Sequence, residues 1–169
     1  MSCPFCKKEH EHTYEQALDM LDRGPQQVRE ALAGASDAEV NYREPKPGGW
    51  NALQVACHLL DCEMVFGVRY RKILAEENAV LPAFDQNAWG ELHGGRQLPD
   101  VLDALAVLRR QNLALVRAAG DAAFQRGGNH PEYGRLTVRD HILHIAEHDR
   151  KHAAQIRRVR ESFHKSVSA

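Results

Sequence analysis

Histidine is the residue type whose number and spacing in this sequence point most directly to chemistry. Ten of the 169 residues are histidine, and five of them lie between His130 and His152. At about 100° per residue, His148 and His152 fall on one stripe of a predicted helix, together with Val138, His141, Ile145, Ile156 and Val159. Two imidazoles one turn apart can bind one divalent ion through nitrogens about 2.0–2.1 Å from it. They can equally be partly exposed histidines that bond to backbone or solvent, so this spacing leaves both interpretations open.

A third histidine, His58, lies on the inward stripe of another predicted helix, with Val55, Cys62, Val65, Phe66 and Ile73. A lone histidine on such a stripe is usually a satisfied core residue. His58 lies seven residues beyond the predicted cap Asn51, whereas His148 and His152 lie eleven and fifteen beyond Thr137. If both helices start at the same end, these levels differ by roughly 6–12 Å at about 1.5 Å per residue. Contact among the three histidines would then require helix tilt or offset.

Four long helices are predicted to carry these residues. Each has an amphipathic stripe and a start signal, and the predicted ranges are Thr13 to about Gly34, Asn51 to about Glu77, Pro99 to Gly120 and Thr137 to about Ser162. Gly24-Pro25 is expected to kink or interrupt the first helix. No segment shows convincing strand alternation. Four amphipathic helices in one small domain predict an all-α four-helix bundle.

The connections predicted between these helices are long. Three loops of about 16–21 residues exceed the usual bundle connection of about 2–8 residues. If successive helices are antiparallel, helices two and four start at the same end, and the loops around 35–50 and 121–136 lie there too. Long loops often carry function, so a site is expected near them.

The composition narrows the classes of protein to consider. The net charge of -1 argues against a nucleic-acid or anionic-membrane surface. No apolar stretch has the length of a membrane span, and the N-terminus lacks the apolar region of a secretory signal. We therefore expect a cytoplasmic protein whose four cysteines are thiols and whose partner is a small-molecule substrate. One bundle domain is expected over residues 13–169.

The first twelve residues form a separate polar arm. Cys3-x-x-Cys6, with His10 and His12, offers four zinc ligands. No βαβ pattern follows, which argues against a thioredoxin-like redox site. The alternative is a flexible tail whose thiols are incidental.

Two segments together resemble a known family. Trp50 to Glu63 reads W-N-x-x-x-V-x-x-H-L-x-D-x-E, and His148 to Ile156 reads H-D-R-K-H-x-x-Q-I. These are similar to the second-helix and fourth-helix signatures of the DinB/YfiT-like family. The resemblance implies an up-and-down four-helix bundle with long loops and often a homodimer. It also implies one divalent metal ion, zinc or nickel, bound by His58, His148 and His152.

The resemblance implies a metal-dependent enzyme, either a low-molecular-weight-thiol S-transferase or a hydrolase. Three neutral imidazoles leave an ion its full charge and an open position, where water or a thiol can ionise. The alternative is a non-catalytic stress-response protein that binds a metal or small ligand. The sequence identifies no further catalytic or cofactor-binding residue.

Seven other residues near these positions each have two interpretations or a structural one. Asp61 or Asp149 could orient the ligand imidazoles, and Trp50 could lie at the site entrance or in the core. His141 and His144 are expected in the core or at the surface, with proton transfer as the alternative. Cys57 and Cys62 are expected to be buried thiols.

Overall fold

A computed structural model describes residues 3–5, 7, 9–45 and 48–168. Along the chain the elements are α1 (Tyr14–Ala31), α2 (Asp37–Val40), α3 (Ala52–Ala75), α4 (Gln86–Gly90), α5 (Leu98–Ala119), a single 3₁₀ turn (Asp121–Ala123), β1 (Gly127–His130), β2 (Gly134–Thr137) and α6 (Val138–Val167). The four long helices, α1, α3, α5 and α6, pack as a bundle, which confirms the predicted all-α four-helix bundle. The short elements α2 and α4 lie in the first two predicted loops.

The predicted helix starts are confirmed by their capping hydrogen bonds. Thr13, Asn51 and Thr137 each accept a hydrogen bond from the backbone N–H three residues on, and the side chain there bonds back to the capping residue. These reciprocal bonds satisfy donors that a helix start otherwise leaves exposed. The sequence therefore specifies where three of the long helices begin.

Helix α1 continues through Gly24 and Pro25 without interruption. Proline has no N–H, so the carbonyl of Leu21, four residues earlier, loses its helical donor. Arg109 of α5 replaces that donor, since its Nη1 donates to Leu21 O at 2.9 Å. A buried tertiary hydrogen bond thus compensates for the proline, which local sequence rules cannot anticipate.

The expectation that no strand forms is wrong for the loop before α6. β1 and β2 form a two-stranded antiparallel hairpin, in which Gly127 pairs with Thr137 and His130 with Gly134. A Cβ at Gly128 would lie 2.8 Å from the carbonyl oxygen of Ala79, so glycine permits the preceding loop to approach this strand. A strand beginning Gly-Gly shows no side-chain alternation, which is why the pattern gave no strand signal.

Helices α3 and α6 run in opposite directions. His58, near the start of α3, contacts His148, whereas Phe66, two turns further along, contacts His141. The expectation that helices two and four start at the same end is therefore wrong. The reversed direction also removes the predicted mismatch in depth, because the middle of α6 meets the first half of α3.

Helices α3 and α5 run in the same direction, so the expected up-and-down order does not hold for these two consecutive long helices. Glu63 pairs with Arg109, and further along both helices Arg71 bonds to Asn112. The connection over residues 76–97 must therefore return along the whole bundle before α5 can start. Its length follows from this topology, and its middle crosses the bundle beside the histidines.

The bundle interior consists of two apolar clusters. One lies around Leu21, Phe66 and Ile142, and the other around Val28, Leu59 and Ile156. Polar side chains are also buried, including His58 of the candidate site, whose other two histidines are half-buried. Within the described ranges, no helix combines the length and apolarity that crossing a membrane requires.

Candidate metal centre

The structure brings the three predicted ligands together where α3 faces α6. His148 Nε2 lies 3.1 Å from His58 Nε2 and 3.1 Å from His152 Nε2. One nitrogen from each ring lies within 4.8 Å of the other two. Nitrogens about 3 Å apart are what one ion bound at about 2.0–2.1 Å requires. Metal binding itself stays a prediction.

All three imidazoles are neutral at neutral pH. Burial, then the neighbouring His152, lowers the pKa of His58 to about 3. Burial also lowers the pKa of His148 well below its ordinary value and lowers that of His152. A neutral imidazole keeps a lone pair, which is the form that binds a metal ion.

The orientation of His152 is fixed by Gln155, one turn further along α6. His152 Nδ1 donates to Gln155 Oε1 at 2.8 Å, so Nε2 carries the lone pair. That lone pair faces His148 Nε2 at 3.1 Å, while His148 Nδ1 is buried with no hydrogen-bond partner. A cation among the Nε2 atoms of His58, His148 and His152 would pair with all three of them. The donor set therefore fits a divalent ion, and imidazole suits both zinc and nickel.

Two cavities meet at this centre. One of about 600 Å³ and one of about 590 Å³ are both lined by His148, His144 and Gln86. The first extends along α3 past Phe66, and the second opens beside Trp50. The histidines are thus accessible from two sides.

Trp50 lies beside the site rather than in the core. Its ring centroid is 4.8 Å from that of His58, and its side chain is half-buried in the wall of the second cavity. It therefore shields one side of His58 from solvent. This agrees with the alternative of a tryptophan at the site entrance.

The two predicted orienting carboxylates have other partners. Asp61 Oδ2 lies 2.8 Å from His93 Nε2, and Asp149 Oδ2 accepts from Arg109 Nη1 at 2.6 Å. Neither bonds to a ring of the three histidines among the described residues. The orienting group that the structure reveals is Gln155, whose only sequence signal was its place in the fourth-helix signature.

The remaining predicted residues divide between core and cavity. Cys57 and Cys62 are buried thiols, as expected. His141 is fully buried, and its Nδ1 bonds to Thr137 O at 2.7 Å, so it belongs to the core. His144 lines both cavities instead.

Part of the N-terminal arm packs against α6. Cys3 Sγ lies 4.0 Å from His144 Nδ1, and His12 Nε2 lies 2.8 Å from Glu147 Oε1. Cys6 falls outside the described residues. Among those described, the three histidines of the candidate centre are the only group of at least three metal-ligating side chains close enough to share an ion. A zinc site on the arm stays a prediction, with His12 engaged elsewhere.

A known family model matches the part of the chain that carries the three histidines. The model of the DinB superfamily matches residues 20–156, which include all three histidines. The chain belongs to the DinB superfamily. The family resemblance drawn from the two helix signatures is confirmed.

Members of the superfamily with similar sequences carry a consistent description. A protein of Bacillus subtilis (strain 168) named "Putative metal-dependent hydrolase YfiT" is 29% identical over 145 residues, covering 82% of this chain and 79% of the relative. A protein of Oceanobacillus iheyensis with the same functional description is 29% identical over 119 residues, covering 70% and 67%. One from Bacillus mycoides is 30% identical over 115 residues, covering 68% and 66%.

Solved structures with similar folds confirm the bundle. YfiT from Bacillus subtilis, described as "a probable metal-dependent hydrolase with an unusual four-helix bundle topology", superposes with a TM-score of 0.82 at 25% identity, covering 92% of this chain and 93% of that one. TT2238, a four-helix bundle protein, gives a TM-score of 0.58 at 23% identity, covering 84% and 96%. The fold similarity to YfiT spans nearly the whole chain.

Proposed function

We propose that this protein is a divalent-metal-dependent hydrolase of small molecules, with the ion held by His58, His148 and His152. The observation that carries the proposal is the convergence of three neutral imidazole nitrogens beside an open cavity. The description of the relatives as metal-dependent hydrolases supports it. A protein that only stored the metal would have no need for cavities that reach the histidines.

The ion would supply Lewis-acid chemistry, lowering the pKa of a nucleophile and polarising the group it attacks. The protein's own residues hold and orient the ligands. Gln155 fixes the ring of His152, and Trp50 covers His58. Burial lowers the pKa of His144 to about 4, so this imidazole is a weak proton acceptor at neutral pH. Ionisation of the nucleophile in this proposal therefore depends on the metal centre rather than on His144.

A second candidate function is transfer of a low-molecular-weight thiol. The specific observation that favours it is the pair of cavities meeting at His148, because hydrolysis needs space for one organic molecule and transfer needs space for two. A thiolate is also softer than hydroxide and suits zinc or nickel. In this alternative, the cavity beside Trp50 holds the thiol.

The test is to load purified protein with zinc or nickel and assay it in two ways. One assay uses chromogenic esters and amides alone, and the other adds a panel of cellular thiols with a chromogenic electrophile. Hydrolysis that requires metal and is lost in His58→Ala and His148→Ala supports the hydrolase. Metal-dependent conjugation lost in the same variants supports the transferase. Inactivity in both assays, with a stoichiometric metal, would favour the non-catalytic alternative.

A further inference from the structure

Arg69 is a buried arginine in the wall of the first cavity. Only 3% of the residue is exposed. It lies eleven residues beyond His58 on the same face of α3, with Cys62 and Phe66 between them, and all three of these later residues line that cavity. The cavity therefore extends along α3 from the histidines to Arg69, over a rise of about 16 Å between the backbone positions.

One end of the Arg69 guanidinium is held by the protein and the other is not. Nε and Nη2 donate to Pro82 O at 3.0 and 2.7 Å, and Nη2 also lies 2.9 Å from His130 Nε2. Nη1 has no hydrogen-bond partner in the described part of the chain. A planar guanidinium fixed in this way presents its remaining N–H groups in a set direction. Those groups are available to a molecule in the cavity.

Arg69 also lacks a contact ion pair, although Glu132 in the same cavity wall attracts its charge from further away. No carboxylate of the described residues lies within ion-pair distance of it. Burial lowers the pKa of its neighbour His130 and raises that of Cys62, so both are neutral. Burial also lowers the pKa of Arg69 itself, the direction expected for a cation without an anionic partner.

A second buried arginine shows what a compensated site looks like. Arg109 forms ion pairs with Glu63 at 2.7 Å and Asp149 at 2.6 Å. Burial alone would lower the pKa of Arg109, but these two carboxylates raise it. A buried charge without a partner is costly. Arg69 is buried in a cavity wall without such an ion pair. This indicates that a ligand in the cavity supplies its partner.

The rest of the cavity indicates the kind of ligand. Phe66, Phe84 and Tyr133 line it, and the Arg69 guanidinium carbon lies 4.8 Å from the Phe66 ring centroid. Asp85 and Glu132 also line it, and their repulsion of anions disfavours any negative charge beyond the one that Arg69 can pair with. These walls favour a flat apolar molecule with one negative charge over a dianionic phosphate.

We propose that the first cavity selects a substrate with a flat apolar body and a single carboxylate, and that Arg69 Nη1 binds this carboxylate. The reacting group then lies at the three histidines, a position that rests on the proposed function. Arg69 is thus a specificity-determining residue of the same site.

The test compares binding of hydrocinnamate with binding of its neutral analogue hydrocinnamamide, by calorimetry on zinc-loaded protein. A hydrogen bond to a charged group contributes about 1.5–3 kcal/mol, so the carboxylate should bind about 10–100-fold more tightly than the amide. In Arg69→Gln this preference should fall to about twofold or less. Arg158→Gln, which removes the arginine that lines the second cavity, should keep it.

Arg69→Lys covers the case in which Arg69→Gln fails to fold, because lysine keeps the charge and a donor for Pro82 O. Lysine cannot present the same fork of N–H groups, so the preference should fall at least about threefold. An unchanged preference in either folded Arg69 variant would overturn the inference, as would its loss in Arg158→Gln.

Removal of the metal separates this inference from the proposed function. If Arg69 binds the carboxylate, the preference survives chelation in the wild-type protein. If it disappears with the metal and is unaffected by Arg69→Gln, the ion binds the carboxylate and the inference is wrong. If the preference depends on Arg69 but no metal-dependent reaction occurs, the carboxylate site stands and the proposed function fails.

Discussion

Two groups of buried polar side chains lie next to each other between the same helices, and they differ in completeness. In the arginine network, Arg109 donates to Glu63 and Asp149, and Asn112 donates to Glu63 at 2.8 Å. In the histidine group, His58, His148 and His152 direct their Nε2 atoms at one another. Each charged group of the network is paired with an opposite charge inside it. The neutral histidine group contains no such pairing.

The difference is sharpest at two consecutive residues of α6. Asp149 completes the arginine network, while Nε2 of the adjacent His148 faces the Nε2 atoms of His58 and His152 at 3.1 Å. A complete buried network stabilises a particular fold. An incomplete one costs stability unless a ligand completes it. We infer that the first group serves the bundle and the second serves binding, and the predictions below test this division.

The largest expected change in stability is that of Asp149→Ala. Removing one partner of a buried ion pair leaves the other charge uncompensated, so the free energy of unfolding should fall by about 3–5 kcal/mol. Urea denaturation of the metal-free protein measures this. The matched control is Asp103→Ala, which breaks the exposed Arg29–Asp103 pair and should cost less than about 1 kcal/mol. Similar losses in the two variants would contradict a structural role for the network.

His148→Ala should affect metal binding more than it affects stability. Metal affinity should fall more than about a hundredfold, because loss of an orienting partner alone costs about 10–100-fold. The metal-free variant should lose less stability than Asp149→Ala. Elemental analysis after dialysis measures the first effect and urea denaturation the second. His164→Ala, at an exposed histidine of the same helix, should keep the metal. Full metal retention in His148→Ala would refute the ligand assignment.

Sequence reasoning predicted the parts of the molecule that depend on local rules. The helix starts at Thr13, Asn51 and Thr137 follow from short-range hydrogen bonds. The inward position of His58 and His148 follows from helical periodicity. Their grouping followed from the family signatures, since spacing alone left each histidine a core residue.

The features that were not predicted depend on long-range geometry. The helix directions were wrong because loop length does not reveal that residues 76–97 return along the bundle. The continuity of α1 through Pro25 depends on Arg109, which is distant in sequence. Arg69 and Gln86 were missed because their roles arise from a cavity, and no local pattern marks such a wall.

A smaller effect is expected at Gln155, whose side chain bonds to the ring of His152. Gln155→Ala should weaken metal binding by about 10–100-fold, since His152 loses the acceptor for its Nδ1–H. Gln155→Glu should retain binding, because a carboxylate also accepts this bond. Competition with a chromophoric chelator measures both. Gln111→Ala, on the exposed face of α5, is the control. Equal affinity in Gln155→Ala and Gln111→Ala would show that the ring needs no orienting partner.

The last prediction concerns acid and tests whether a core histidine behaves differently from the histidine group. Burial lowers the pKa of His141 from 6.5 to about 3. Between these two values the unfolded chain binds a proton that the folded protein does not. Stability should therefore fall as the pH falls through this window, by about 1.4 kcal/mol per pH unit for this residue.

His141→Phe should reduce the slope of unfolding free energy against pH by this amount, in metal-free and metal-loaded protein alike. Acid should also lower metal occupancy, because protons compete for the three ligand imidazoles. His141→Phe should not alter that competition, since this ring bonds to Thr137 rather than to the centre. A variant that changed metal occupancy as a function of pH would place His141 with the binding group and weaken the division between the two kinds of buried polar residue.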